Sequence, residues 1–306
     1  MAEITEITSG LRFPEGPIAM DDGSVVLVEI EASRLTRVHA DGTKETVVEV
    51  PGGPNGAAVG PDGAFYICNN GGGAHHVERR GMLIPGGFDP DRYLGGKVQR
   101  VDPTTGEVTD LYTECDGRPL RAPNDLVFDT AGGFWFTDHG IRENRKGDLC
   151  SIYYGLPDGS SVREVVHPTD APNGIGLSPD GGTLYWAETY TGRVMRRTVT
   201  APGEVERAGT YSPAAFLAGL PGLQLLDSLA VDSDGNVCVA TILNGGVTVI
   251  APDGEIVEHV PTGDPYTTNV CFGGPDRRTA YITLSGTGRL VSTPWPCPGA
   301  SLAFTA

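Results

Sequence analysis

Basic residues are scarce in this chain. Its 306 residues include 22 Lys and Arg against 39 Asp and Glu, a formal charge of -17. That balance repels phosphate backbones and anionic headgroups, which argues against nucleic acid or a membrane surface as a partner. Most of the carboxylates read as solvated surface. Long apolar runs are missing too, and none approaches the ~20 residues that span a bilayer. The opening MAEITEITSG has neither a basic n-region nor an apolar h-region, so no secretory leader is expected. The six cysteines, Cys68, Cys115, Cys150, Cys238, Cys271 and Cys297, form no CxxC pair. Cys68, Cys238 and Cys271 fall inside strand-like runs, which predicts buried free thiols and a cytoplasmic setting rather than disulfides. No segment of useful length shows a 3.6-residue apolar period, so helices are not expected. Phosphate-cradling glycine loops, GxSxG elbows, HExxH helices and a GxGxxG opening a helix are all absent.

What the chain does have is Gly (44), Pro (24) and a repeat. The segments FPEGPIAMDDG (13–23), GPNGAAVGPDG (53–63), APNDLVFDTAG (122–132), APNGIGLSPDG (171–181), LLDSLAVDSDG (225–235) and TTNVCFGGPDR (267–277) share one pattern. A polar residue stands third: Glu15, Asn55, Asn124, Asn173, Asp227 and Asn269. A turn residue follows at Gly23, Gly63, Gly132, Gly181 and Gly235, with Arg277 as the exception. A second strand comes next in each copy (VVLVE, AFYIC, FWFTD, TLYWAE, NVCVA, TAYITL), and third strands such as GRVMRR and GGVTVI are readable beyond it. Six strand–turn–strand–strand units predict an all-β fold, a single six-bladed β-propeller over residues 1–306 with a central channel. A sandwich or jelly roll leaves the recurring polar position unexplained. Either Glu3–Leu11 or Ser301–Ala306 is expected to supply an outer strand that closes the ring.

In a propeller the innermost strand of each blade lines the channel, so the six polar positions form one ring. Burying them unpaired is unfavourable. Ordered water is one partner and a divalent cation the other. All six side chains offer oxygen, and Glu15 and Asp227 together balance one M²⁺. Oxygen ligands without His or Cys favour Ca²⁺, Mg²⁺ or Mn²⁺. The second strand returns to the same end, which places Glu29, Asn69, Asp138, His139, Glu188 and Thr241 around the ring as ligand-orienting groups or pocket wall. The longest gap between repeats holds NNGGGAHHVERRGMLIPGGFDPDRYLGG (69–96), and the part from 71 to 96 is expected to be a long loop over the metal face. Its adjacent His75 and His76 read as solvated residues rather than a metal pair.

FPEGP (13–17), PND (123–125), PNG (172–174), DSLAVD (227–232) and the tail PWPCPG (294–299) resemble the family of senescence marker protein, gluconolactonase and luciferin-regenerating enzyme. The resemblance covers nearly the whole chain. It implies a six-bladed propeller with one catalytic divalent cation, commonly Ca²⁺ or Zn²⁺, that hydrolyses sugar lactones. Diisopropylfluorophosphatase has a similar metal site. By resemblance Glu15, Asn124, Asn173 and Asp227 are the metal ligands, and Asp227 is also the base or nucleophile. Ca²⁺ is the expected ion, with Zn²⁺, Mg²⁺, Mn²⁺ and Fe²⁺ as alternatives. The expected substrate-binding residues are Asn124, Arg121, Asn55, Asp138, His139 and Glu188. Some sugar lactonases carry an Arg that binds substrate hydroxyls where Ala122 stands here, and Arg121 lies one residue away. The expected activity is metal-dependent hydrolysis of a lactone, with a sugar lactone foremost. Phosphotriester or fluorophosphate hydrolysis at the same site, and a non-enzymatic calcium-binding platform, are the alternatives. The sequence carries no signal of oligomeric state.

Overall fold

The second strand of each repeat is a nearly unbroken apolar run, and the architecture explains why. In the computed structural model, which describes residues 3–207 and 212–305, every copy becomes an antiparallel sheet of at least four strands. Blade 1 runs through Pro14–Ala19, Val25–Glu29, Arg34–Val38 and Lys44–Glu49. The inner strands of blades 2 to 6 are Pro54–Val59, Pro123–Phe128, Pro172–Leu177, Leu225–Val231 and Thr267–Gly273. Each inner strand packs against the next, and the sixth against the first, so the ring is closed. Second strands such as Val25–Glu29, Phe65–Asn69 and Phe134–Asp138 are buried along their whole length because sheets of both neighbouring blades cover their faces. Outer strands face water and read as polar, as in Lys44–Glu49. Two short 3₁₀ turns, Ile30–Ala32 and Pro213–Ala215, are the helical elements among the described residues.

The core therefore lies between blades. Phe134 packs with Tyr66 and Phe128 between blades 2 and 3, while Trp135, Ile175 and Trp186 fill the next interval. Full burial of such a side chain contributes roughly 1.5–3 kcal/mol. The chain start closes the ring: Thr5–Thr8 pairs with Arg289–Pro294 as the outer strand of blade 6. The chain end does something else. It pairs Gly299 with Asp232 and seats Phe304 edge-on against Phe128, at 5.6 Å.

One local irregularity recurs in every blade. The pairing of the first two strands shifts register at or just after the polar position, between Glu15 and Ile18, Pro54 and Ala57, Pro123 and Leu126, Pro172 and Ile175, Leu226 and Leu229, and Thr267 and Asn269. A bulge re-aims a side chain that regular alternation would send elsewhere. The residue after the polar one then abuts the neighbouring inner strand. A Cβ on Gly56 would lie 2.5 Å from Asp125 Oδ1, and one on Gly174 would collide with the Leu229 amide. Glycine at these positions lets the inner strands close around a narrow channel.

Candidate metal centre

Glu15, Asn55, Asn124, Asn173, Asp227 and Asn269 are all buried at the start of their inner strands. They are not equivalent. The Asn269 side-chain nitrogen donates to Glu15 Oε2 at 2.8 Å, and its oxygen accepts from the Val270 amide at 2.8 Å. Both ends of that amide are engaged, so Asn269 holds Glu15 in place. The Gly16 amide adds a second donor to Glu15 Oε2 at 2.9 Å. The Asn173 nitrogen donates to Thr189 Oγ1 at 3.2 Å and also faces Asp227, while its oxygen accepts from the Ser228 hydroxyl at 3.5 Å. Asn124 Oδ1 is buried with no hydrogen-bond partner. An orphaned buried carbonyl oxygen is expensive.

Electrostatics select the same place. Burial raises the Glu15 carboxyl above the usual carboxylate range. Burial first, and the Glu15 charge second, hold Asp227 well above that range. A third carboxylate joins them: Asp125, one residue past Asn124, is pushed up to about 7 by burial and then by Glu15. It takes hydrogen bonds from the Leu126 amide, the Ser228 hydroxyl and the Ile175 amide, so its contacts reach across blades 3 to 5. Two ring carboxylates that disfavour each other's ionisation, beside an unpaired amide oxygen, fit a hard divalent cation. No group of three His, Cys, Asp or Glu side chains is arranged to hold a metal among the described residues, the ring included, so a cation there would draw on the amide oxygens as well.

Glu29, Asn69, Asp138 and Glu188 end their second strands opposite the prolines that open the inner strands. There they pin main chain. Glu29 accepts from the Arg12 amide, Asn69 from Gly53, Asp138 from Arg121, Ala122 and Gly140, and Glu188 from Asp170 and the Thr191 hydroxyl. Thr241 donates to the Gly246 carbonyl instead. Asp138 and Glu188, expected as ligand-orienting groups, pocket wall or substrate-binding residues, hold the segments that enter the ring, and Glu188 also holds the Thr191 hydroxyl. Arg121 turns its guanidinium to Asp148 at 2.9 Å, and its carbonyl accepts from the Tyr93 hydroxyl at 2.6 Å. His139 does face its neighbours on this side: burial lowers it to about 4, and its ring lies 5.7 Å from Tyr190, edge to face.

The 71–96 segment is not an open loop. Ala74–Arg79 and Met82–Phe88 form a two-stranded hairpin. The Leu83 amide bonds the Gly286 carbonyl of blade 6, and the same strand packs on the Arg142–Glu143 strand of blade 3. Blades 3 and 6 are opposite in the ring, so Met82–Phe88 bridges its diameter. His76 is fastened by Phe13, with ring centroids 3.8 Å apart and tilted by 34°, and by Glu31 at 3.2 Å. Phe13 itself has φ 58°, as Ala171 has 45°; each precedes the Pro before a ring residue. Strain of this kind is held only where the surroundings fix it.

Comparison with known proteins agrees with the six-bladed fold. The profile of the SMP-30/Gluconolactonase/LRE-like region matches residues 13–286. The chain belongs to that family. It is 25% identical to a gluconolactonase of Zymomonas mobilis, over 92% of this chain and 79% of that one. It is 34% identical to the lactonase drp35 of Staphylococcus aureus, over 74% of this chain and 63% of that protein. In fold it is similar to a gluconolactonase of Xanthomonas campestris, with TM-score 0.76 and 24% identity over 96% of this chain and 90% of the other.

Asp125 escaped the sequence reading although a signal was present. The fourth repeat position is Gly in three copies, and an Asp there breaks the pattern.

Proposed function

We propose that this chain is a metal-dependent lactonase whose site is the ring of Glu15, Asn124, Asn173 and Asp227. The observation that carries the reading is the pairing of two buried carboxylates, each raised above its usual range, with the orphaned Asn124 oxygen. Similarity to gluconolactonases and lactonases supplies the substrate class. Glu15, Asn124, Asn173 and Asp227 would hold a divalent cation, Ca²⁺ first among candidates, which would keep both carboxylates ionised and supply Lewis-acid polarisation of an ester carbonyl oxygen. The chain's residues do the rest. Asn269 and the Gly16 amide fix Glu15, and the Thr189 hydroxyl orients Asn173. Asp227 takes a proton from the attacking water and returns it to the departing alkoxide, or attacks the carbonyl itself to form an acyl anhydride that water then cleaves. The acyl C–O bond breaks, the ring alkoxide is protonated, and a hydroxy acid leaves. Met82–Phe88 serves as a lid that limits water at the mouth.

Glucono-δ-lactone and γ-lactones are the substrates to assay, by proton release. Asp227→Asn is expected to lower kcat by at least about 10²-fold. Wild-type turnover in that variant would refute its role. Single turnover in H₂¹⁸O separates the two roles, since label in the Asp227 carboxylate marks a nucleophile.

A further inference from the structure

Ten large apolar side chains stand open on the described surface, and they are not scattered. Six occupy the end of the propeller where the ring residues sit. Val77 and Leu94 belong to the blade 2 insertion, Leu149 follows the blade 3 second strand, Tyr190 and Leu243 lie between second and third strands of blades 4 and 5, and Leu223 precedes the blade 5 inner strand. Leu149 is 73% exposed and Leu223 79%. Singly exposed leucines are ordinary. Six at the end that carries the polar ring, on a chain with a charge of -17, are the apolar groups placed to meet a ligand there.

Tyr190 joins this rim to the ring. Asn173 donates to Thr189, the residue before it. The Leu226 amide, next to Asp227, donates to the Thr189 carbonyl, and the Leu220 amide donates to Gly192. The loops bearing Tyr190 and Leu223 are thus laced together beside Asp227. Arg142 lies 4.1 Å over the Tyr190 ring and pairs with Asp170 at 2.5 Å, which holds that wall in place. The bridging strand Met82–Phe88 runs from blade 6 to blade 3, so the loops of blades 4 and 5 that carry Tyr190, Leu223 and Leu243 lie to one side of it. Three of the groups expected to meet sugar hydroxyls are already engaged: Asp138 with main-chain amides, Glu188 with the Asp170 amide and the Thr191 hydroxyl, and Arg121 with Asp148.

We propose that the site takes lactones with an apolar substituent, an alkyl chain or aryl group on the carbon bearing the ester oxygen, seated against Tyr190, Leu223 and Leu243. The proposal rests on the lactonase reading and names its substrate class. Burying one methylene gives ~0.8 kcal/mol, or about fourfold in kcat/KM when burial is complete.

The experiment compares γ-butyrolactone, γ-octalactone, γ-decalactone and glucono-δ-lactone on the Ca²⁺-loaded protein. The expected result is a kcat/KM that rises about two- to fourfold per added methylene, with γ-decalactone above glucono-δ-lactone. In the Leu223→Ser/Leu243→Ser double variant the ratio of γ-decalactone to γ-butyrolactone falls at least about fivefold. A flat series, or a ratio unchanged in the variant, overturns the proposal. Calorimetric binding of 2-hexylcyclopentanone against cyclopentanone reads the same preference without turnover. If no lactone is hydrolysed but the hexyl ketone binds tighter, the lactonase reading falls and the apolar subsite stands. Equal binding of the two ketones overturns the subsite.

Discussion

Asn269 and Glu15 lie 254 residues apart in the chain, yet the Asn269 side-chain nitrogen donates to Glu15 Oε2 at 2.8 Å across the seam where blade 6 meets blade 1. The same contact that closes the ring orients a carboxylate of its centre. Asn269→Leu should therefore weaken the metal without removing a ligand, by about 10- to 100-fold in affinity. Calorimetric titration of EDTA-stripped protein with Ca²⁺ reads this directly. An unchanged affinity would show that Glu15 is held by the backbone alone.

Asp125 predicts a pH dependence. Its folded pKa of about 7 lies above the unfolded value near 3.8. The native state then binds the extra proton between these values, and stability falls as pH rises through that window, by up to about 1.4 kcal/mol per pH unit. Glu15 and Asp227, also raised, act with the same sign, and His139, lowered to about 4, acts with the opposite sign below its ordinary range, so a single melting curve mixes all four. Asp125→Asn isolates the carboxyl. In metal-free protein the variant should melt higher than wild type at pH 8 and close to it at pH 5. A gap that is constant with pH would contradict the burial of a titrating Asp125.

The propeller was legible because one polar residue and one turn recur six times, and because second strands enclosed by neighbouring blades must be apolar throughout. The closing strand was not. Thr5–Thr8 and the C-terminal tail are both short segments without distinctive alternation, and the choice between them rests on pairing with Arg289–Pro294. The hairpin was hidden for a similar reason: AHHVER and MLIPGGF lack a repeating apolar face, since Leu83 alone is buried there. The hydrogen bonds of Asp138 and Glu188 were not legible, because the sequence shows carboxylates but not the main-chain amides that they hold.

Gly174→Ala tests the close packing of inner strands. Its new Cβ meets the Leu229 amide and Ser228 backbone, where nothing flexible can yield. Overpacking of this kind destabilises by roughly 1–3 kcal/mol. Urea unfolding should show that loss together with weaker Ca²⁺ binding, because Asn173 is the adjacent residue. The same change at Gly181, where a Cβ meets nothing but φ is 70°, should leave metal affinity intact.

The hairpin should move as its own unit when its fastening is cut. His76→Ala removes both the Phe13 and the Glu31 contacts. Amide exchange over 74–88 is expected to accelerate by at least about tenfold while inner-strand amides stay protected. Uniform acceleration across the sheet would mean that the hairpin supports the whole ring rather than covering it.

The central claim is one divalent cation shared by Glu15, Asn124, Asn173 and Asp227 and required for lactone hydrolysis. Proton release from a lactone, measured as Ca²⁺ is titrated into EDTA-stripped protein with bound metal counted in the same samples, tests it most directly. Activity should rise in proportion to occupancy and saturate at one ion per chain, and Asn124→Ala should shift the curve to higher Ca²⁺. Full hydrolysis in the stripped protein, or a bound ion that leaves the rate unchanged, would contradict it.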